Sequence, residues 1–255
     1  MISTDSIKSS EYFSTLNWSQ IATPPFWYED QPIVTHFMNA LSVAIPETER
    51  FLVRAVKPYT TLITDVGLLE NTKKFLNEEN THSLHHTKFN LDLKRNDYPL
   101  AFGLTFTKWG YKFIYTFFSQ KTQLAMAVCF EHMTTTLVEY GFDKELMKED
   151  VSPVYDLFIW HAFEELNHRA GAYDVYEFSD GSYLRRILSM MYVTFFFITG
   201  VVIIQLRFIL SDLFAGRGIR GKHWWYAAKF FFARGGMFWG TLKKYFSIYK
   251  FKFIP

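Results

Sequence analysis

Trp160-His161-Ala162-Phe163-Glu164-Glu165-Leu166-Asn167-His168 sets three potential ligands, His161, Glu165 and His168, at spacings of four and three residues. Positions three and four apart are neighbours on a helix surface, so these three side chains share one face. Phe75-Leu76-Asn77-Glu78-Glu79-Asn80-Thr81-His82-Ser83-Leu84-His85-His86 repeats the Glu-x-x-His spacing at Glu79 and His82. Two single glutamates complete the pattern. Glu49 follows Ile45-Pro46-Glu47-Thr48, and Glu131 interrupts the otherwise apolar start of Ala125-Met126-Ala127-Val128-Cys129-Phe130-Glu131-His132-Met133. A carboxylate in such a face is costly to bury without a cation or a partner.

The chain order is therefore Glu49, Glu79/His82, Glu131, Glu165/His168, with intervals of 30, 52 and 34 residues. One Glu from each of two helices and a Glu-x-x-His from each of two others is the ligand recipe of di-metal carboxylate bundles. The short intervals suit adjacent antiparallel helices, and the long middle one suits the crossover of a ferritin-like fold. Bridging carboxylates offset the charge of two close cations while imidazoles supply neutral nitrogen. His161, one turn before Glu165, adds a seventh ligand and makes the site richer in nitrogen. The expected fold is all-α, a ferritin-like four-helix bundle with extra helices. The expected cofactor is two metal ions, iron by preference, with manganese or zinc as alternatives.

Some neighbours compete for these roles. Glu47 stands two residues before Glu49. Glu78 and Glu164 each reach their histidine at four residues and replace Glu79 or Glu165 if the helix phase differs. His85 and His86 extend the second helix's histidine run, with His86 either a ligand or a residue behind one. His132 reads as a packing residue or a support behind the ligands.

The stretches IPETERFLVRAV, FLNEENTHSLHH, CFEHMTTTL and WHAFEELNHRAGAYDVY resemble the bacterial predicted metal-dependent hydrolases, a ferritin-like group, over about residues 25–215. His161, Glu165 and His168 are also similar in arrangement to the ligands of the di-iron arylamine N-oxygenases. The first resemblance implies hydrolysis; the second implies an oxygen-activating di-iron site in which His161 is the added ligand.

Around this centre the chain divides into an irregular, aromatic arm (1–31), a helical bundle (32–182) and a hydrophobic, basic-aromatic region (183–255). In the bundle, two helices broken at Pro46 are expected within Pro32–Tyr59. Others are expected over Asp65–Leu91, Leu104–Phe118, Lys121–Tyr140 with Gly141 as its stop, and Pro153 to about Phe178, with Asn96–Gly103 as a break. The chain has 255 residues, 49% of them hydrophobic and 20% aromatic, enough to build a core and too apolar for disorder. The single cysteine, Cys129, excludes a disulfide framework and suits a reducing compartment. Met1–Ser19 lacks the apolar run of a secretory signal.

The net charge of +2 hides an opposition: residues 1–206 sum to −7, while 207–255 carry ten Lys/Arg against one acid, Asp212. Met190–Leu206 is a 17-residue run without a formal charge. As a helix it is about 25 Å long, short of a typical ~30 Å hydrocarbon core. With the basic-aromatic segment after it, it reads as a peripheral helix lying on the cytoplasmic leaflet of the inner membrane, with a single pass, or a Phe-rich helix packed on the bundle or in a dimer interface, as the alternatives, and not as a nucleic-acid site. The expected protein is a di-iron oxidase or oxygenase using O2 and an electron donor on a hydrophobic or lipid-like substrate. The alternatives are a metal-dependent hydrolase and a metal-storage or scaffold protein, with a homodimer possible in any of these.

Overall fold

A computed structural model describes residues 7–21, 23–95, 97–146 and 151–255, and so leaves out Asn96 and the first six residues of the polar N-terminus. The described residues form no strand. Their helices are α1 (Ser10–Thr15), α2 (Pro32–Val56), α3 (Val66–Arg95), α4 (Leu100–Phe117), α5 (Gln120–Asp143), α6 (Pro153–His168), α7 (Gly171–Ser179), α8 (Tyr183–Phe214), α9 (Gly221–Phe232) and α10 (Met237–Tyr245). The chain is an all-α bundle. Helices α2, α3, α5 and α6 carry the ligand stretches and pack against one another. The long interval between Glu79 and Glu131 holds α4, which crosses the outside of α2.

Pro46 does not break the first helix: α2 runs through it for 25 residues. Proline has no N–H to give the carbonyl four residues back, which orphans the oxygen of Ser42. The Asn90 side chain of α3 donates to that oxygen at 2.8 Å, and Ser83 Oγ donates to the Pro46 carbonyl at 3.2 Å. The neighbouring helix thus supplies what the proline removes.

Other boundaries differ from expectation: α3 runs on past Leu91 to Arg95, and α4 begins at Leu100, inside the expected break Asn96–Gly103. Helix α5 continues past Gly141 to Asp143; Gly141 does not take up the left-handed backbone of a helix stop. The helix expected from Pro153 to about Phe178 is two, α6 and α7, separated at Arg169 and Ala170. Gly171 begins α7 against α3, where an added Cβ would lie 2.6 Å from Phe75 Cδ2 and 3.2 Å from its Cβ.

Residues after 182 pack on the bundle. One core cluster joins Phe51 and Phe130 to Met190, Val193 and Phe253, and another joins Phe37 and Phe158 to Val201, Ile204 and Phe208. Asp212 is fully buried, 2.5 Å from His36 of α2 and 3.2 Å from Arg217, and so ties the end of α8 to the start of the bundle. Among the described residues α8 alone is long and apolar enough to cross a membrane. The mean hydropathy of its most apolar window is 2.4, and 33% of that window is buried.

Gly171→Ala is expected to lower stability by about 1–3 kcal/mol, because the methyl group meets the base of the Phe75 side chain rather than its flexible end. Thermal or urea unfolding of the variant checks this.

Candidate metal centre

The apolar faces of α2, α3, α5 and α6 turn their few polar side chains to the bundle axis. Glu49, Glu79, His82, Glu131, His161, Glu165 and His168 are all buried. Two overlapping groups form there, Glu49/His82/His161/Glu165 and Glu79/His82/Glu165/His168, each with its ligand atoms within 4.8 Å of one another. His82 and Glu165 belong to both. Glu131 borders the second group, its Oε2 3.5 Å from His168 Nδ1, while Glu79 Oε1 lies 3.5 Å from His168 Nε2.

Helix phase decides between the competing glutamates. Glu47, partly buried, turns to Arg50 at 2.5 Å, and Glu78, also partly buried, turns to Lys74 at 3.6 Å. Glu164 stands behind His82. It accepts from His82 Nε2 at 2.8 Å and from Trp160 Nε1 at 2.9 Å, which leaves His82 Nδ1 facing the centre. A carboxylate behind an imidazole fixes the ring and raises its basicity as a ligand. His132 turns away from the centre; its Nε2 lies 3.1 Å from the Tyr245 carbonyl and its ring packs edge-on against Phe253. His85 is buried between Phe13 and Trp160, outside both groups.

His86 has a defined task behind His161. Asn90 donates from Nδ2 to the Ser42 carbonyl, so its Oδ1 is the acceptor for Ser42 Oγ–H at 2.8 Å. Ser42 Oγ, its proton spent, accepts from His86 Nδ1 at 2.9 Å. His86 Nε2 then accepts from His161 Nδ1 at 2.8 Å. The tautomers follow from the donor inventory, and the last nitrogen, His161 Nε2, presents a lone pair to the centre. It lies 2.9 Å from Glu165 Oε1 and 3.3 Å from Glu49 Oε1. Two electron-rich atoms at that separation require a proton or a cation between them. Only the fold brings Ser42, His86 and Asn90 together; the sequence signal was their helical spacing, Asn90 one turn after His86 and Ser42 one turn before Pro46.

Electrostatics give the same picture. Burial pushes the Glu49 and Glu79 carboxyls well above the usual range, reinforced by Glu131 and Glu165. Burial and Glu165 raise Glu131 to about 7. With a proton between His161 Nε2 and Glu165 Oε1, in the place a cation would take, burial at Glu165 is outweighed by His161 and the charge of His168, and the carboxyl falls to about 2. At His168 burial is outweighed by Glu131 and Glu165, and the imidazole rises to about 9. Both oxygens of Glu49, Glu79 and Glu131, Nδ1 of His82 and both nitrogens of His168 are buried without a hydrogen-bond partner. Such atoms are rare in a protein interior, and carboxylate and imidazole donors facing a common centre fit divalent metal ions.

A cavity of about 150 Å³ reaches this centre. Glu49, His161 and Glu165 form its inner end, and apolar side chains such as Leu41, Ile45, Leu137, Phe158 and Phe197 form its walls.

Fold and centre together define a class: helical-bundle proteins with a buried glutamate–histidine site suited to metal ions. The chain belongs to the family described as predicted metal-dependent hydrolase, whose model matches residues 14–255, including the basic region after α8. No match was found among curated proteins or among solved structures.

Two outcomes follow from this geometry. Ser42→Ala removes the acceptor that orients His86 and is expected to weaken metal binding by roughly 10-fold with the fold intact, as losses behind metal ligands do; chelator competition and circular dichroism measure both. Metal must displace the proton on His168 and those on the raised carboxyls, so affinity is expected to rise from pH 6 to 9 with proton release. Calorimetry in buffers of different ionisation enthalpy reads that release.

Proposed function

We propose that this protein is a di-iron oxidase or oxygenase that uses O2 and an external electron donor to oxidise a hydrophobic substrate. The observation that supports this most directly is the apolar cavity ending on Glu49, His161 and Glu165. Apart from these three, the polar side chains lining it are Thr48, Thr134, Tyr28 and Tyr140. None is an ordinary acid or base at neutral pH, whereas hydrolysis calls for a water path and a group to protonate the leaving atom. Two iron ions held by the seven ligands would supply redox equivalents and coordination positions for dioxygen.

The chain's own residues prepare that chemistry. The Asn90–Ser42–His86 sequence of hydrogen bonds holds His161 with its bare nitrogen inward. Thr134 donates to Glu165 Oε2 at 3.0 Å and steadies the carboxylate shared by both groups. Glu164 holds His82. The aliphatic and aromatic walls keep bulk water from the substrate and favour a molecule with a long or flat apolar body.

Hydrolysis with metal-activated water is the second reading, favoured by the family description. Iron-reconstituted, reduced protein exposed to 18O2 with a medium-chain fatty acid separates the two. Oxygen uptake stimulated by the fatty acid, together with label in the product, is expected, and both are lost in Glu165→Ala. An ester turned over with label from water alone, and no oxygen uptake, supports hydrolysis instead.

A further inference from the structure

Helix α8 has two apolar faces. One, with Met190, Val193, Val201, Ile204 and Phe208, is buried in the two core clusters. The other is exposed: Leu188, Met191, Phe195, Ile198, Val202 and Leu206 recur every three or four residues, and Phe195 is 72% exposed. This outer stripe is about 27 Å long at helical rise. Beside it lies α4, which packs on both α2 and α8 and contains no acidic residue. An added Cβ at Gly110 of α4 would lie 2.5 Å from the Phe196 ring of α8, so the two helices meet closely. Trp109 and Phe117 of α4 are exposed as well, 66% and 68%.

The charge of these helices and of the segment after them says what covers this face. Lys112, Arg207, Lys222, Lys229, Lys243 and Lys252 are exposed, and none has an ion-pair partner among the described residues. The one acid after residue 206, Asp212, is buried and paired. An extended apolar band on two helices that carry exposed Lys112 and Arg207 and no exposed acid, with so basic a segment after α8, is complementary to an anionic bilayer surface. The inner face of α8 is committed to the bundle along its length, so a bilayer meeting the outer face would run along the helix rather than be crossed by it.

A second cavity, of about 20 Å³, lies at the α4–α8 seam between Phe106, Phe196, Gly200 and Val201. It shares Ala44, Thr48 and Phe197 with the cavity that ends on the metal centre. The side chains of Ala44, Thr48 and Phe197 thus stand between the seam and the cavity that holds Glu49 and His161.

We infer that the outer face of α4 and α8 docks on an anionic bilayer and that the seam between them admits an acyl-chain substrate directly from it. This deepens the proposed oxidation of a hydrophobic substrate and rests on it for the substrate's class. Two measurements on the full chain test it without turnover, so their failure is distinct from failure of the oxygen chemistry. The first is flotation with vesicles of phosphatidylcholine, alone or mixed equally with phosphatidylglycerol. The second is binding of cis-parinaric acid, a fluorescent fatty acid.

The wild type is expected to float with the anionic vesicles. Phe195→Glu/Leu206→Glu is expected to float at least about tenfold less while keeping its metal content. Ala44→Phe or Gly200→Val, which narrow the passage from its two ends, are expected to bind parinaric acid roughly tenfold more weakly and still float. Gly200→Val serves if Ala44→Phe misfolds, since a Cβ at Gly200 makes only an ordinary 3.6 Å contact with Phe106. Wild-type protein that ignores anionic vesicles overturns the docking. So does a dimer that the double glutamate variant breaks, because a second copy then covers the face. Unchanged parinaric acid binding in a folded plug variant overturns the route.

Discussion

The structure depends on a burial that its own atoms do not compensate. Four carboxylates and three imidazoles sit in the middle of an apolar bundle, and most of their inward-facing atoms have no hydrogen-bond partner. An unpaired charge in such surroundings is among the costliest features a fold can carry. Protons relieve it in part, through raised carboxyls and the charged His168. Cations shared between Glu165 and His82 would relieve it fully and would tie the four helices together from inside.

The helices are shaped around that centre. Pro46 frees the Ser42 carbonyl inside α2, Asn90 of α3 takes it, and the amide so oriented sets the direction of every hydrogen bond out to His161. A feature that reads as a helix breaker is thus one end of the device that aims a nitrogen at the centre. Gly171 acts similarly at the other end of α6, letting α7 close on Phe75, whose ring packs against His168.

What the sequence makes legible is local. The spacing of three and four residues picks out the faces of α3 and α6, and a lone glutamate in an apolar stretch picks out α5. Glu49 and Glu47 are indistinguishable until the phase of α2 is known, because both lie near the same turn and only packing shows which one is buried. The sequence offers His86 as a ligand or a residue behind one, but not that His161 is its partner, since the contact joins residues 75 apart on different helices. Continuity through Pro46 is hidden for the same reason: the donor that rescues the orphaned carbonyl is 48 residues away. The apolar run in α8 is plain, but composition alone does not reveal that one face packs on the bundle while the other faces outward.

The most direct test of the dinuclear account is metal content in protein purified without chelator, compared among ligand variants. The account predicts two ions per chain, with both sites weakened by Glu165→Ala, whose carboxylate both groups share, and one site spared by Glu79→Ala. A chain that holds no ion, or a single ion unaffected by Glu165→Ala, would contradict it.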